Sequence, residues 1–388
     1  MGPSTIANAP VSDRRRLLLV LPYFAPHVGG VEQFAEQLAR ALVSTGRWQV
    51  HVITSGSRGW GASTREEQGI TVTRLGYWFR FSYTPVSLAW PLQIRRAIRR
   101  LRPDVINAHS PVPFMADCAV LVAGTVPVLL TYHAATLKKD AGPVFEIVRR
   151  IYGSLQAAVF RRCAAVLAVS DYVRDSLEPS VAGRLVTFSN ALTAEAFLPE
   201  VPPPEQAPFL FMARLNREHS WKGLEEILRS LPDAPGASLV VAGDGDMRAT
   251  YEALAEELKV AERVKFLGNV KGQAKMDALL GCQALIAYPT TSNDAFPTVL
   301  LEAWAASRAV VVAGIGPLPS LVVDQITGLV VPPSRPDALA AVLEGLRSDP
   351  DAAWRMGRAG RASVADLTWD KQAVRFEDLV ADAIESRL

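Results

Sequence analysis

The chain has 388 residues, 49% hydrophobic and 21% charged, with a formal net charge of +2. That length and balance suit two or three globular domains with ample core. They exclude a disordered chain or a small scaffold dependent on disulfides. The charge is unevenly divided: through Glu195 there are 22 Lys and Arg against 13 Asp and Glu, and after it 19 against 26. The first half is thus expected to face an anionic surface or substrate, or to carry a solvated basic face. Cys118, Cys163 and Cys282 lack CxxC spacing and sit in apolar runs, so they read as reduced core residues of a cytoplasmic protein, with no metal site.

Residues 1–13 are small and polar and read as a disordered tail. Arg14-Arg15-Arg16 then leads into Leu17–Leu21, a run broken by Pro22 and Pro26 and too short for a spanning helix, so it reads as a buried strand. Val50–Thr54, Val105–Ala108, Val128–Tyr132 and Val166–Val169 repeat the pattern, with amphipathic stretches between several of them. This alternation predicts a parallel sheet covered by helices on both faces, in a first domain over 14–198. The proline-rich stretch 199–208 reads as a stiff extended linker. Alternation restarts at Phe209–Met212, Ser238–Ala242, Val264–Leu267, Ala284–Tyr288 and Ala309–Ala313, predicting a second domain over 209–370. A helix over 371–388 is expected to pack back on the first domain. Two such Rossmann-like domains are expected to face a cleft, with ligands outside the carboxyl ends of the strands.

Four loops carry candidate chemistry. After the first strand, Gly29-Gly30 precedes a helix with Phe34, Leu38 and Leu42; the glycines permit close backbone approach and the helix start favours an anion, although paired glycines also occur in plain turns. Arg214 and Lys222-Gly223 follow the strand that opens the second domain. Two cations there would stabilise a leaving diphosphate, or are surface charge. Gly243-Asp244-Gly245 ends another strand like a dinucleotide fingerprint, but Arg248 stands where the third glycine belongs, which disfavours a dehydrogenase. Finally, Asp294 and Glu302 lie eight positions apart around a helix start. Pro297 fits the first helical position, leaving the amides of Thr298, Val299 and Leu300 for an anion. By itself that segment reads equally as an N-capped helix with an exposed Glu.

In order and spacing, these pieces resemble the retaining glycosyltransferase family 4, of the two-domain GT-B fold. The resemblance runs from Arg16 to about Glu377 and includes Leu130-Thr131-Tyr132-His133, Arg263–Gly268 and Thr327–Pro333. It implies transfer of a hexosyl group from a nucleoside-diphosphate sugar, UDP- or GDP-linked, to an acceptor hydroxyl, without a metal or other cofactor. By that resemblance Gly29 and Gly30 approach the diphosphate, and Arg214 and Lys222 hold it as it leaves. Glu302 binds the ribose, and Asp294 the transferred sugar. Gly243 and the stretch Phe266, Leu267, Gly268 and Val270 frame the nucleotide, with Phe296, Thr298, Val299 and Leu300 at the helix start. His133 sits near the reacting sugar, and His109 is a secondary acceptor-side candidate; either histidine also reads as a hydrogen-bonded strand end.

The chain departs from the family's pattern in four places. Asp294 replaces a Glu, Pro297 replaces a Gly, and the Arg214–Lys222 separation is longer than the usual five or six. Gly316-Pro317-Leu318-Pro319-Ser320 alters a further motif. An epimerase or hydrolase on the same scaffold, or a non-catalytic nucleotide-sugar-binding protein, are the competing readings. The acceptor is open: glycan, lipid-linked or small molecule, with no nucleic acid expected. Basic stretches at 95–100 and from 148 to 162 suggest peripheral contact with an anionic membrane at its inner face, or solvated helix faces.

Overall fold

A computed structural model describes residues 14–27, 29–81, 84–134, 152–153, 155–292 and 294–385. The expected tail, the basic stretch at 148–150 and the last three positions of the final helix lie outside the described residues. The chain divides into two compact units, with boundaries between Asn190 and Ala191 and between Thr368 and Trp369.

The first unit holds an eight-stranded sheet. Its spatial order is Leu185–Thr187, Ala165–Ala168, Val128–Tyr132, Val105–Ser110, Arg15–Val20, Trp48–Arg58, Ile70–Tyr77 and Ala62–Glu67. All neighbours are parallel except the last pair. Leu17, Leu18, Leu19 and Val20 are fully buried, as central strands covered on both faces require. The Gly30–Ser44 helix covers one face through Phe34, Ala35, Leu38, Ala39 and Leu42, the spacing of a single helical stripe. Two strands at 62–67 and 70–77 stand outside the expected set: Ala62–Glu67 is almost wholly exposed and shows no apolar alternation, whereas Ile70–Tyr77 buries Ile70, Val72 and Leu75. Gln68 and Gly69 join them with φ of 54° and 77°, the left-handed backbone of a two-residue hairpin turn.

The closing helix spans Trp369–Glu385 and belongs to the first unit. Phe376 meets Trp48 edge-on at 6.4 Å, and Glu377 accepts from Trp48 Nε1 at 2.7 Å and pairs with Arg47 at 2.7 Å.

The second unit holds six parallel strands in the order Val264–Gly268, Leu239–Ala242, Phe209–Met212, Ala284–Ala287, Ala309–Ala313 and Gly328–Val331. The last of these joins the five expected strands, its start marked by Gly328, where a Cβ would strike the Val310 carbonyl.

The proline-rich stretch 199–208 is not a free linker: it belongs to the second unit and is fastened to it. Arg308, 1% exposed, donates through Nη1 to the Val201 carbonyl at 2.9 Å and through Nη2 to the Leu280 carbonyl at 2.6 Å. Arg361 donates to the Leu198 carbonyl at 2.8 Å, and Arg358 pairs with Glu200 at 2.7 Å. Proline lacks the N–H for sheet pairing but keeps its carbonyl, and here arginines take carbonyls of the stretch and its approach. Arg308→Met should therefore destabilise the protein by at least about 2 kcal/mol, since it also strands the buried Ala306 and Ser307 carbonyls that Arg308 Nη1 reaches at 3.2 and 3.4 Å. Urea unfolding checks this; a change within about 0.5 kcal/mol, the scale of ordinary surface substitutions, contradicts the anchoring role.

Candidate functional site: carboxyl edges of the two sheets

In the second unit, Phe209–Met212 pairs with Leu239–Ala242 on one side and Ala284–Ala287 on the other. The strand order reverses between Phe209–Met212 and Ala284–Ala287, the position outside the carboxyl ends where ligands of such sheets usually bind. The loops leaving these two strands run through 213–222 and 288–297. They are tied by the Thr290 N–H, which donates to the Trp221 carbonyl at 2.8 Å.

The longer Arg214–Lys222 spacing is absorbed by a 3-10 helix over Arg217–Lys222. Gly223 then turns the chain with φ of 82°, and a Cβ at this position would collide with the Tyr288 carbonyl. A glycine is therefore obligatory where the backbone must approach so closely. Lys222 is thereby delivered to Asp294, with Nζ in an ion pair to Oδ2, and it also lies 4.4 Å from the Trp221 ring centroid. His219 lies in the same loop, with Nδ1 buried and unpartnered among the described residues. Its pKa is lowered by burial first and then by the charges of Arg214 and Lys222.

The helix that follows spans Thr298–Ala305 and begins one residue later than expected. Pro297 is its N-cap rather than its first residue, with ψ of 100° in the extended region. The Leu300 amide is spent on the Pro297 carbonyl at 3.2 Å and its side chain is fully buried, so Leu300 offers nothing to a ligand. Thr298 and Val299 carry the amides at the helix start. Phe296, Val299 and Val270 are half-buried against the core cluster that contains Leu300 and Leu301.

Glu302 stands on the second turn and is held by a residue the sequence reading missed. Lys275 Nζ pairs with Glu302 Oε1 at 2.7 Å, while Oε2 is buried and unpartnered among the described residues. Lys275 lies on the Gln273–Leu280 helix, and no local spacing connects it to position 302.

Packing requires a glycine at 243: a Cβ there would strike the Ala213 carbonyl. Gly268 has φ of 72° and bridges to Gly243. Arg248, in place of a third fingerprint glycine, pairs with Glu252 at 2.8 Å and lies 5.9 Å from the Phe266 centroid. Leu267 is exposed beside Phe266.

In the first unit the corresponding reversal lies between Arg15–Val20 and Val105–Ser110. Gly29 is the N-cap of the following helix; a Cβ there would collide with the Glu32 carboxylate, which is buried and pairs with His27 at 3.3 Å. Nothing lies within 4 Å of a Cβ built on Gly30. A Cβ on Gly29 would thus meet only the movable tip of Glu32, and Gly30 faces open space. His109 stands next to last in one strand and His133 follows its neighbour, with His109 Nδ1 and His133 Nε2 2.9 Å apart. Phe34 packs edge-on against both rings, at 5.9 and 5.0 Å. Burial lowers the His109 pKa to about 3 and pushes His133 well below its usual value, the latter aided by the charge of His109.

Two parallel α/β sheets, each with its candidate residues at its carboxyl edge, define a glycosyltransferase scaffold of the GT-B type. The model of Glycosyltransferase Family 4 matches residues 28–194, and that of Glycosyl transferases group 1 matches residues 195–363. The chain belongs to the family 4 type of glycosyltransferase. Glycogen synthase of Mycobacterium tuberculosis is 26% identical over 389 residues, covering 92% of each chain. Among solved structures, sucrose-phosphate synthase from Thermosynechococcus elongatus matches with a TM-score of 0.77 at 20% identity, covering 96% of this chain and 100% of that one. Anabaena HepE in complex with UDP matches with a TM-score of 0.70 at 15% identity, covering 95% and 99%.

The buried imidazoles have a consequence for stability. His51, which contacts Thr73 Oγ1 at 2.8 Å, is lowered to about 4 by burial and by Arg100. Together with His109 it takes up protons in the unfolded chain before the folded one. Their contribution is complete above about pH 6.5 and falls as pH drops toward 4. The urea midpoint should decrease from pH 7 to pH 5, and less so in His109→Phe; an equal decrease in the variant contradicts this assignment.

Proposed function

We propose that the protein transfers a hexosyl group from a nucleoside-diphosphate sugar to an acceptor hydroxyl, with retention at the anomeric carbon and without a metal. The observation that carries this reading is the pairing of both acids with lysines, Asp294 with Lys222 and Glu302 with Lys275, beside the helix start at Thr298. Anionic phosphate is favoured where lysine and backbone N–H groups converge, and carboxylates suit the hydroxyls of sugar and ribose. The UDP complex of HepE supports a nucleotide as the ligand of this fold.

In the proposed reaction the bond from the anomeric carbon to the diphosphate oxygen breaks and a bond to the acceptor oxygen forms on the same face. The acceptor proton passes to the leaving phosphate. Negative charge grows on that phosphate, where Arg214 and Lys222 act. Glu302 Oε2, buried and without a partner among the described residues, has an unmet need for the donor that a ribose hydroxyl supplies. Asp294 is assigned to the transferred sugar and His133 to the same reacting group.

Arg214→Ala and Lys222→Ala should each lower turnover at least ~100-fold, the scale of a lost oxyanion donor. Glu302→Ala should chiefly weaken UDP or GDP binding, read by calorimetry. Near-normal turnover in both cation variants would sink the electrostatic role.

A peripheral membrane contact is proposed on a separate observation. The Trp90–Leu101 helix buries Trp90, Ile94 and Ile98 while Leu92, Arg95, Arg96, Arg99 and Arg100 face outward, with exposed Leu88 just before it. Apolar and basic groups on one exposed surface suit an anionic lipid interface. No helix among the described residues is long and apolar enough to cross a membrane. The protein should co-sediment with vesicles containing anionic lipid and not with neutral ones, and replacing the four arginines with glutamine should abolish pelleting. Equal pelleting with both lipids would count against it.

A further inference from the structure

His109 and His133 are held together by the sheet itself. The two strands pair in parallel with Ser110 opposite Tyr132, and the His133 N–H donates to the Ser110 carbonyl at 2.9 Å. The rings are consequently stacked, with centroids 5.1 Å apart and planes inclined by 15°. Phe34 caps both from the side and is itself packed edge-on against Phe188 and Trp369, leaving the rings little room to turn. His109 is 1% exposed and His133 half-buried. Both imidazoles are held neutral by burial, so one proton at most lies between Nδ1 and Nε2.

That proton has two possible homes with different consequences. If His133 Nε2 carries it, His109 must carry its own proton on Nε2, an atom buried without a partner among the described residues. A buried N–H with no acceptor is the rarer arrangement in folded proteins. If His109 Nδ1 carries the proton, His109 Nε2 is left as a bare acceptor and His133 carries its proton on Nδ1. The hydrogen bond made by one ring nitrogen thus sets the state of the other.

We propose that His109 is a positioning residue that fixes the ring plane and tautomer of His133, so that His133 presents Nδ1–H as a donor to the reacting sugar. This rests on the reading that His133 contacts that sugar. His109 touches no substrate; it acts through His133 alone.

The test is nitrogen-15 NMR of the imidazoles in the full-length protein, read by two-bond nitrogen–proton correlations, for wild type, His109→Asn and His109→Phe. The expected wild-type His133 signal is that of the Nδ1–H form. Asn supplies an N–H in place of His109 Nδ1 and should preserve it; Phe supplies none and should give mixed tautomers. With UDP-glucose as donor and water as acceptor, His109→Phe should lower kcat about tenfold or more with KM unchanged, a loss typical for an orienting partner. His109→Asn should recover most of it. An Nε2–H form of His133 in the wild type overturns the proposal without any variant, and so does an unaltered tautomer in a folded His109→Phe protein. If the tautomer changes as expected while both His109→Phe and His133→Ala leave turnover intact, the placement of His133 at the sugar is what fails, and the claim that it presents a donor there falls with it.

Discussion

Parallel pairing of Phe209–Met212 with strands on both of its sides is the constraint on which the candidate donor site depends. Parallel strands send all their carboxyl ends to one edge, and reversal of the strand order parts the loops there. Lys222 and Asp294 lie 72 residues apart in the chain, yet each leaves the carboxyl end of one of two adjacent strands. Gly223 turns that proximity into contact, because only a residue without Cβ fits against the Tyr288 carbonyl. The first unit uses the same device: Gly29 and Gly30 follow one strand and His109 stands next to last in its neighbour.

At the candidate donor site both acids are paired with lysines. Each acid has its own lysine, so neither half-buried carboxylate is left without a counter-charge. Removing water from an isolated carboxylate is expensive, and the lysines offset that cost. The pairs also keep cations at the carboxyl edge of the sheet. Asp294 is one methylene shorter than the Glu expected at its position, and Lys222 reaches it all the same, through a loop longer than usual.

Much of this was legible from the residues. Most buried strands of both sheets announced themselves as short β-branched runs whose carboxyl ends named the loops that matter, although Ile70–Tyr77 and Gly328–Val331 did not. What escaped has identifiable physical causes. Ala62–Glu67 is a polar edge strand that needs no apolar alternation, since most of it faces solvent. The stretch 199–208 looked like a linker because proline forbids sheet and helix, but proline leaves carbonyls free for buried arginines such as Arg308. Pro297 suited the first helical position by its φ, whereas its ψ of 100° makes it a cap and takes Leu300 out of the site. The packing need for glycine at 243 was not legible either, because it comes from the Ala213 carbonyl, thirty residues earlier in the chain.

The sequence by itself determined most of the elements, the two-sheet architecture and the residue types at the carboxyl edges, because periodicity and turn chemistry act over a few neighbouring residues. Only the tertiary structure decided which side chains meet. Lys275 with Glu302, Lys222 with Asp294 and His109 with His133 are partners separated by 27, 72 and 24 residues. Such pairs come from strand order, register and the close approach of backbones, and no local pattern encodes them.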